Sequence, residues 1–457
     1  MPPFVALVLS LALIVVLLAS ERRMNPDVSH ALWIPFLWLF FIGTRFPSEW
    51  LDMQASAMQR PEEYLEGSPV DQAVFLALYV AALVVLVRRR LPWSGVMAAN
   101  LSITAFFLYG LVSVVWSDFP WTALKRFVKV LEHIVMVLVV LTEANPAQAM
   151  DALVRRFLTT TVLLSVLFLK YYPEFGRAFD NWTGQPFNTG ATTDKNALGH
   201  ICLLGTIFYM SSLLSKAHQE VSRSTKGRML VDIGLLAAVL WLLEIANAKT
   251  ALICSIVGMV SVAVLTRTQL GKSPVAVFVG VVSLVGLSAV LDSAFNLREI
   301  GIEALDRNPT LTDRTFVWED VLAMPNNALV GTGFESFWLG PRVEELWQKY
   351  WWHPNQAHNG YIETYINLGA IGVALLLVML TAALFRSLGA MRDGDPFGAV
   401  RFSLILAIAI FNYTDATFKA LHILFFTFLL VSLLAWPVSE SAQTGRENRL
   451  DEGPVRV

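Results

Sequence analysis

Long apolar runs separated by short polar segments dominate the sequence. About 20 apolar residues are needed to cross a membrane, and about thirteen stretches approach that length, some of them short. They cover residues 4–19, 31–43, 71–87, 95–115, 127–142, 157–171, 196–214, 230–246, 251–266, 275–292, 366–385, 398–416 and 421–436. This pattern predicts an all-α, polytopic membrane helix bundle with about 13 (12–13) transmembrane helices.

One long polar segment interrupts the apolar runs and divides the chain. We predict an N-terminal transmembrane bundle over 1–292, with about ten spans, and a large loop over 293–365. C-terminal transmembrane helices would cover 366–436, and a tail over 437–457 is predicted to be a disordered cytoplasmic end. Connections as long as the large loop are uncommon unless they carry function.

The distribution of basic residues predicts the orientation, because Lys and Arg accumulate on the cytoplasmic side. Placing Arg88, Arg89 and Arg90 inside and alternating from there puts most basic connections inside, most clearly residues 216–228. The large loop then lies outside. The first apolar run lacks a basic segment before it and is followed by Arg22 and Arg23, so we interpret it as a span rather than a signal peptide.

Composition narrows the class of protein further. The 457 residues are 55% hydrophobic and only 15% charged, with a formal net charge of −2. That balance argues against a nucleic-acid binder and against an ordinary soluble protein. The two cysteines, Cys202 and Cys254, lie in separate apolar runs, so neither a disulfide framework nor a zinc site is indicated.

The large loop is rich in tryptophan, and two interpretations of this remain open. An aromatic belt at the membrane interface is typical of such residues, especially for Trp347 and Trp351, which would share a helical face. Indole faces also suit sugars, so carbohydrate stacking is the alternative. The tryptophans of the loop are Trp318, Trp338, Trp347, Trp351 and Trp352.

The first polar string of the loop, residues 308–319, contains a candidate anion-binding residue. Thr312 or Asp313 is a plausible N-cap of a helix, with Phe316, Val317 and Trp318 on its apolar face. Arg314 would lie in the first turn beside unpaired backbone N–H groups, which favours a phosphate or carboxylate ligand. Local pairing of Arg314 with neighbouring carboxylates is the alternative.

The second string, residues 353–369, leads directly into the next predicted span. His358 lies where the loop becomes a helix, and an imidazole there can accept a proton from a hydroxyl at neutral pH. Glu363 follows five residues later and would orient the ring only through a bent chain or a water molecule. A metal site of His353 and His358 is a competing hypothesis, but their spacing matches no standard pair of ligands.

Further cations are predicted at outward-facing helix ends. Ionisable residues near the membrane interior are functional by default, although lysine near a span end often only snorkels to the surface. If they converge, they would suit a diphosphate at the outer face, with Asp415 and Glu244 as structural partners. These cations are Lys125, Arg126, Lys129, Lys195 and Lys249.

The order of these motifs resembles the O-antigen ligase and polymerase superfamily, most closely its exopolysaccharide-polymerase branch. The resemblance covers about residues 110–420 and rests on five strings around one large outer loop. They are Trp116-Ser-Asp-Phe-Pro, Thr193-Asp-Lys-Asn-Ala-Leu-Gly199 with Ala248-Lys-Thr, Thr312-Asp-Arg-Thr, Gly331-Thr-Gly-Phe-Glu-Ser-Phe337 and Ala357-His-Asn-Gly-Tyr-Ile-Glu363.

The resemblance implies a glycosyltransferase C-like fold and an inverting, metal-independent enzyme without a cofactor. Its donor would be a glycan on undecaprenyl diphosphate at the periplasmic face of a bacterial inner membrane. His358 would be the catalytic base, and Arg314 would act with it, where Asp313 departs from the small residue common in the family. The implied substrate-binding residues are Lys195, Arg126, Lys249, Asn359, Glu363 and Trp318.

Several functions stay open at this point. The leading hypothesis is polymerisation of lipid-linked repeat units into exopolysaccharide or O-antigen, and a ligase that transfers glycan to lipid A–core or protein is the nearest alternative. The implied partners are the lipid-linked donor, a glycan acceptor, membrane lipids, a flippase and a chain-length co-polymerase. A transporter or flippase would be expected to show internal repeats, which we did not find. A non-catalytic membrane scaffold is the remaining class.

Overall fold

A computed structural model describes most of the chain. It covers residues 1–51, 68–179, 184–216, 223–268, 314–395 and 397–434, together with five single positions between 270 and 280. The predicted span 275–292 therefore lies largely outside the described residues. Residues 293–313 and the predicted tail 437–457 lie outside them entirely, so the predictions made there stay predictions.

The described residues are predominantly helical. In chain order the α-helices are α1 Pro3–Met24, α2 Trp33–Gly43, α3 Pro47–Leu51, α4 Pro69–Arg88, α5 Trp93–Ala99, α6 Leu101–Ser113, α7 Pro120–Leu141, α8 Pro146–Tyr171, α9 Pro173–Gly176, α10 Lys195–Lys216, α11 Arg223–Ala246, α12 Lys249–Arg267, α13 Arg314–Ala323, α14 Pro341–Lys349, α15 Gly360–Arg392, α16 Gly398–Phe411 and α17 Ile423–Ser432. Short 3₁₀ helices cover His30–Leu32 and Val114–Trp116. Strand is limited, among the described residues, to one small antiparallel pair, β1 Arg177–Phe179 with β2 Pro186–Asn188, which is consistent with the all-α expectation.

Seven helices among the described residues are long and apolar enough to cross a membrane: α1, α4, α8, α10, α11, α12 and α15. The pair α5 and α6 would make an eighth span, bent by 106°. All seven coincide with predicted spans, so the chain is a multi-pass, predominantly α-helical membrane protein.

The predicted total of about 13 spans is not confirmed, because several apolar runs form helices unlike simple spans. Helices α16 and α17 have 14 and 10 residues, too short to cross alone. Helix α7 is long enough but carries Lys125, Arg126, Lys129 and Glu132. Apolarity alone therefore does not distinguish a span from a short helix buried among other helices.

The described part of the large loop has its own hydrophobic core. Residues Val317, Trp318 and Val321 of α13 pack with residues of α14, such as Leu346, and with Phe337. Trp318 and Trp338 are 9% and 4% exposed, so these two indoles are structural core residues rather than free stacking surfaces. The described part of the loop thus forms a packed layer that holds the second polar string against the helix bundle.

Helix α15 is broken at Gly369, close to the predicted start of the span. Gly369 has φ +64, a left-handed conformation that favours glycine, and a Cβ there would lie 2.2 Å from the carbonyl carbon of Leu329. The N–H groups of Ala370 and Ile371 donate to the carbonyls of Ala328 and Leu329, at 2.9 and 3.2 Å. The residues after the break span about 35 Å, enough for the membrane, while Gly360–Leu368 belongs to the loop layer.

Candidate active site

The N-terminus of α15 packs against the turn that follows α16. The N–H of Gly360 donates to the carbonyls of Asn412 and Asp415, at 2.7 and 3.1 Å. A Cβ at residue 360 would lie 1.8 Å from Oδ1 of Asn412, so glycine is required for this approach. The contact brings His358, two residues earlier, to the carboxylate of Asp415. His358 itself adopts φ 49, a left-handed conformation that is strained for a residue other than glycine and is often found at functional sites.

His358 faces Asp415 on one side and solvent on the other. Its Nδ1 lies 3.7 Å from Oδ1 of Asp415, slightly too far for a hydrogen bond, and this buried atom has no hydrogen-bond partner within the described ranges. The side chain nevertheless remains 37% exposed, against 14% for Asp415. The exposed part of the ring therefore lies away from Asp415, on the side where a substrate would approach.

The surroundings keep the imidazole of His358 neutral. Burial lowers its pKa from the usual value, the charges of Arg314 and Lys419 lower it further, and Asp415 opposes them. Burial by itself would raise the pKa of Asp415, but interactions with His200 and His358 outweigh it and hold that pKa well below the usual range. A neutral imidazole beside a carboxylate anion is the arrangement that a general base requires.

Two further histidines approach the same carboxylate from other elements. His200 of α10 places Nε2 at 3.3 Å from Oδ2 of Asp415, and His422, just before α17, places Nε2 at 4.0 Å. Nδ1 of His422 accepts the N–H of Leu424, so its proton is on Nε2 in the neutral form. Burial lowers the pKa of His422 well below the usual value.

The same three residues could hold a metal ion. The ligand atoms of His200, Asp415 and His422 all lie within 4.8 Å of one another. Two imidazoles and a carboxylate suit zinc. The competing sequence hypothesis was a metal site of His353 and His358. In the structure the ring of His353 stacks on Trp347, with ring centroids 4.4 Å apart.

Arg314 and Trp318 hold helix α13 over this cluster. The guanidinium Nη1 of Arg314 donates to the carbonyl of Thr414, next to Asp415, and Arg314 is the first residue of α13. Trp318 donates from Nε1 to the carbonyl of Ala357 at 2.6 Å, directly before His358. The structure therefore brings Arg314 beside His358, whereas the candidate caps Thr312 and Asp313 lie outside the described residues.

A cavity of about 110 Å³ adjoins the cluster. Gln356 and Gly360 on either side of His358, and Ala416 beside Asp415, contribute to its walls. Two cations also line it: Arg126 of α7, which donates to the carbonyl of Glu335, and Lys419. Arg126 thus lines the cavity beside the cluster, and its role in donor binding stays a prediction. Lys419 had not been singled out in the sequence.

Asn359 and Glu363 act within the protein. The Oδ1 of Asn359 caps α15 by accepting the N–H groups of Tyr361 and Ile362, at 3.0 and 3.2 Å. Glu363 lines the cavity and accepts from the N–H of Ala357 at 2.9 Å and from Nε1 of Trp338 at 2.8 Å. Both side chains therefore fix the conformation of the segment that carries His358.

Lys195 and Lys249 open neighbouring helices. Lys195 is the first residue of α10, with its ammonium 5.5 Å from the ring centroid of Phe187, and Lys249 is the first residue of α12. The two helices approach closely at Gly199, where a Cβ would lie 2.8 Å from that of Ala251. The hydroxyl of Thr250 lies 3.2 Å from that of Thr414, which places this end of α12 beside the Asp415 turn.

The motifs that the sequence predicted around one loop make direct contacts. The hydroxyls of Ser117 and Ser336 lie 2.6 Å apart, and Trp116 donates from Nε1 to the carbonyl of Val330 at 3.2 Å. These bonds join the Trp116 motif to the glycine-rich motif, which also pairs with the backbone of α15. The spacing of the motifs thus corresponds to a physical assembly.

Asp415, His422 and Lys419 are the main residues that the sequence analysis did not assign to the site. Asp415 appeared only as a structural partner, although a carboxylate inside the apolar run 398–416 was a signal of function. His200 lies within the predicted span 196–214, and its spacing gave it no role at the site. Lys419 lies between two apolar runs and His422 at the start of the second, and nothing in their spacing connects them with His358.

Comparisons with known proteins support the resemblance. Residues 233–377 match the family model described as O-antigen ligase. The chain is also 24% identical over 319 residues to the exopolysaccharide production protein ExoQ of Rhizobium meliloti (strain 1021), covering 68% of this chain and 71% of that protein. The resemblance predicted from the motifs is therefore confirmed. The matched stretch contains Arg314 and His358, whereas His200 precedes it and Asp415 follows it.

Proposed function

We propose that this protein is a membrane glycosyltransferase that polymerises oligosaccharide repeat units carried on undecaprenyl diphosphate into exopolysaccharide or O-antigen. The reaction takes place at the periplasmic face of a bacterial inner membrane, with inversion at the anomeric carbon and without a metal. The match to the O-antigen ligase family and the similarity to an exopolysaccharide production protein support this reaction class.

The observation that carries the proposal is the pairing of His358 with Asp415. The buried Nδ1 faces a carboxylate anion, and the side chain of His358 remains 37% exposed. His358 accepts the proton of the acceptor hydroxyl, and the positive charge that forms on its ring is stabilised by Asp415. The 3.7 Å separation shortens as the ring becomes charged, as is common when a substrate binds.

The proposed glycosyl transfer forms one bond and breaks one bond at the anomeric carbon, and it moves one proton. The acceptor oxygen forms a bond to the anomeric carbon, its proton moves to His358, and the bond from that carbon to the diphosphate oxygen breaks. Undecaprenyl diphosphate leaves with the electron pair. Arg314 and Arg126 are the cations that neutralise the developing charge, with Lys195 and Lys249 at the neighbouring helix ends. Lys419 adds a fifth cation to this basic surface.

A ligase that transfers finished glycan to another acceptor is the second candidate. It is favoured by the description of the matching family as O-antigen ligase. The two activities share the donor, the base and the leaving group, so the difference lies in the acceptor alone. Glycan analysis of a deletion strain separates them: single repeat units follow loss of a polymerase, and unattached long chains follow loss of a ligase.

The direct test uses the purified full chain in lipid nanodiscs with a synthetic undecaprenyl-diphosphate repeat unit. Wild-type protein is expected to produce a ladder of longer lipid-linked glycans. His358→Gln removes the base and is expected to lower the rate by about 10²–10⁴-fold. The matched control is His353→Gln, a histidine of the same loop that stacks on Trp347.

Two outcomes contradict the proposal. Elongation by His358→Gln at the wild-type rate would show that the base is another residue. Failure of the wild-type protein to elongate any lipid-linked donor, while it moves that donor across the membrane, would instead establish a flippase.

A further inference from the structure

A second cavity of about 250 Å³ lies between α1, α8 and α11, apart from the candidate active site. Its polar walls contain three arginines and two carboxylates: Arg155, Arg156, Arg228, Glu21 and Asp232. Its apolar walls come from α1 and α11. The cavity therefore combines three permanent positive charges, two carboxylates and hydrocarbon surface.

Arg156 in this cavity has unused hydrogen-bond donors. Its side chain is 1% exposed, and Nε donates to Glu21 at 2.5 Å, whereas the buried Nη1 and Nη2 have no hydrogen-bond partner among the described residues. The buried Nε of Arg228 likewise has none in the described part of the chain, while its Nη2 contacts Asp151 at 2.7 Å. Buried guanidinium N–H groups without acceptors are costly, so this arrangement favours a ligand that supplies oxygen atoms.

The charge of the surroundings restricts that ligand. The three arginines are balanced by nearby carboxylates: Glu21 pairs with Arg156, Asp151 with Arg228, and Asp232 with Arg155. The near-neutral balance disfavours a multiply charged anion. A phosphodiester carries a single negative charge and offers two free oxygens to a guanidinium fork.

The cavity lies at the opposite end of the bundle from His358. Arg155 binds Ser212 and Asp232, which ties α8, α10 and α11 together at this end. Ser212 is twelve residues after His200 in the same helix, which is about 18 Å along the axis. Helix α1 is a peripheral helix with largely exposed apolar residues, so lipid chains can reach the cavity beside it.

We propose that this cavity binds the phosphodiester headgroup of a membrane phospholipid, with Arg156 and Arg228 on the phosphate oxygens and the acyl chains along α1 and α11. Basic pockets between membrane helices commonly bind lipid headgroups on the cytoplasmic side, which is the side that the distribution of Lys and Arg predicts here. The site is independent of the glycosyl-transfer chemistry.

The test measures lipid retained by the purified full chain in detergent, using native mass spectrometry with phosphatidylglycerol as the probe. Arg156→Gln alone would leave the buried Glu21 without its ion-pair partner, so the variant is the double substitution Glu21→Gln with Arg156→Gln. Arg228→Gln is the second, milder variant. Arg23→Gln is the matched control, an exposed arginine in the last turn of α1 that does not line the cavity.

We expect the double variant and Arg228→Gln each to bind phosphatidylglycerol about tenfold more weakly, and Arg23→Gln to bind it like the wild type. Diacylglycerol, which lacks the phosphate, should bind weakly to all of them. Equal lipid retention by Arg228→Gln and the control would overturn the assignment, even if the double variant does not fold. Inorganic phosphate that competes as strongly as the lipid would also overturn it, in favour of a site for a free anion.

Discussion

Replacing Asp415 with asparagine removes the charge behind the proposed base and keeps the shape of the side chain. Oδ1 lies 3.7 Å from Nδ1 of His358, and the two groups become an ion pair when the imidazole accepts a proton. At that distance the Coulomb energy is about 1 kcal/mol at the dielectric constant of water and about 4 kcal/mol at an effective value of about 20. Because His358 is 37% exposed, solvent screening favours the lower part of that range.

A loss of about 1–3 kcal/mol corresponds to a kcat lowered roughly 5- to 150-fold. The pH dependence gives a second, independent readout. His358 is an active base only when deprotonated, and its lowered pKa keeps it so at neutral pH, with activity lost only as the pH falls through that lowered value. Asp415 raises the pKa of His358, so Asp415→Asn lowers it further and moves the acidic limb of kcat/KM to lower pH.

The assay is the initial rate of glycan elongation on a lipid-diphosphate donor between about pH 4.5 and 8, around the usual histidine pKa. Glu345→Gln is the control, because it removes an exposed carboxylate of α14 in the same loop. The reasoning is refuted if kcat of Asp415→Asn stays within twofold of wild type, or if its acidic limb moves to higher pH.

Three further predictions follow from the same geometry. Arg314 lowers the pKa of His358, so Arg314→Gln should move the acidic limb to higher pH and weaken donor binding, seen as a higher KM. Activity should be unchanged by EDTA. Added Zn²⁺ should inhibit, because zinc bound to Asp415 would no longer leave that carboxylate available to His358, and His200→Ala should relieve the inhibition. Activity that zinc stimulates would contradict this prediction. Gly369→Ala should lower the free energy of unfolding by about 2 kcal/mol or more, because Gly369 has a positive φ and lies against the backbone of Leu329. The control Gly389→Ala, where a Cβ meets open space, should not lower the unfolding temperature.

Apolar periodicity predicted the long membrane helices well, because a span is a local property of about 20 residues. The same criterion failed for the helices that are short or charged. Helix α17, for example, is apolar throughout, yet its residues Phe425, Phe426 and Phe428 are buried among other helices. Burial by protein and burial by lipid leave the same sequence pattern, so the span count could not be obtained from hydropathy.

The candidate site shows a different limit. The motifs predicted His358, Arg314 and Arg126 as residues of one site, and their roles stay predictions. In the structure Arg314 contacts Thr414, next to Asp415, and Arg126 lines the cavity that adjoins this cluster. The partners of His358 come from distant parts of the chain. Helix packing brings Asp415 and His200 to His358, and the spacing of residues along the sequence does not reveal such a contact.

The glycines of the motifs explain how this packing is achieved. Gly199 directly precedes His200 and permits the close contact of α10 with α12, while Gly360 follows His358 by two residues and permits the contact with Asn412. Gly333 packs in the same way against the backbone of Ser117. Each of these motifs therefore contains both a glycine at a closely packed position and a polar residue near it in sequence. The glycine determines how closely two elements approach, and that distance determines which polar groups meet; a larger residue would displace the site without removing any of its chemical groups.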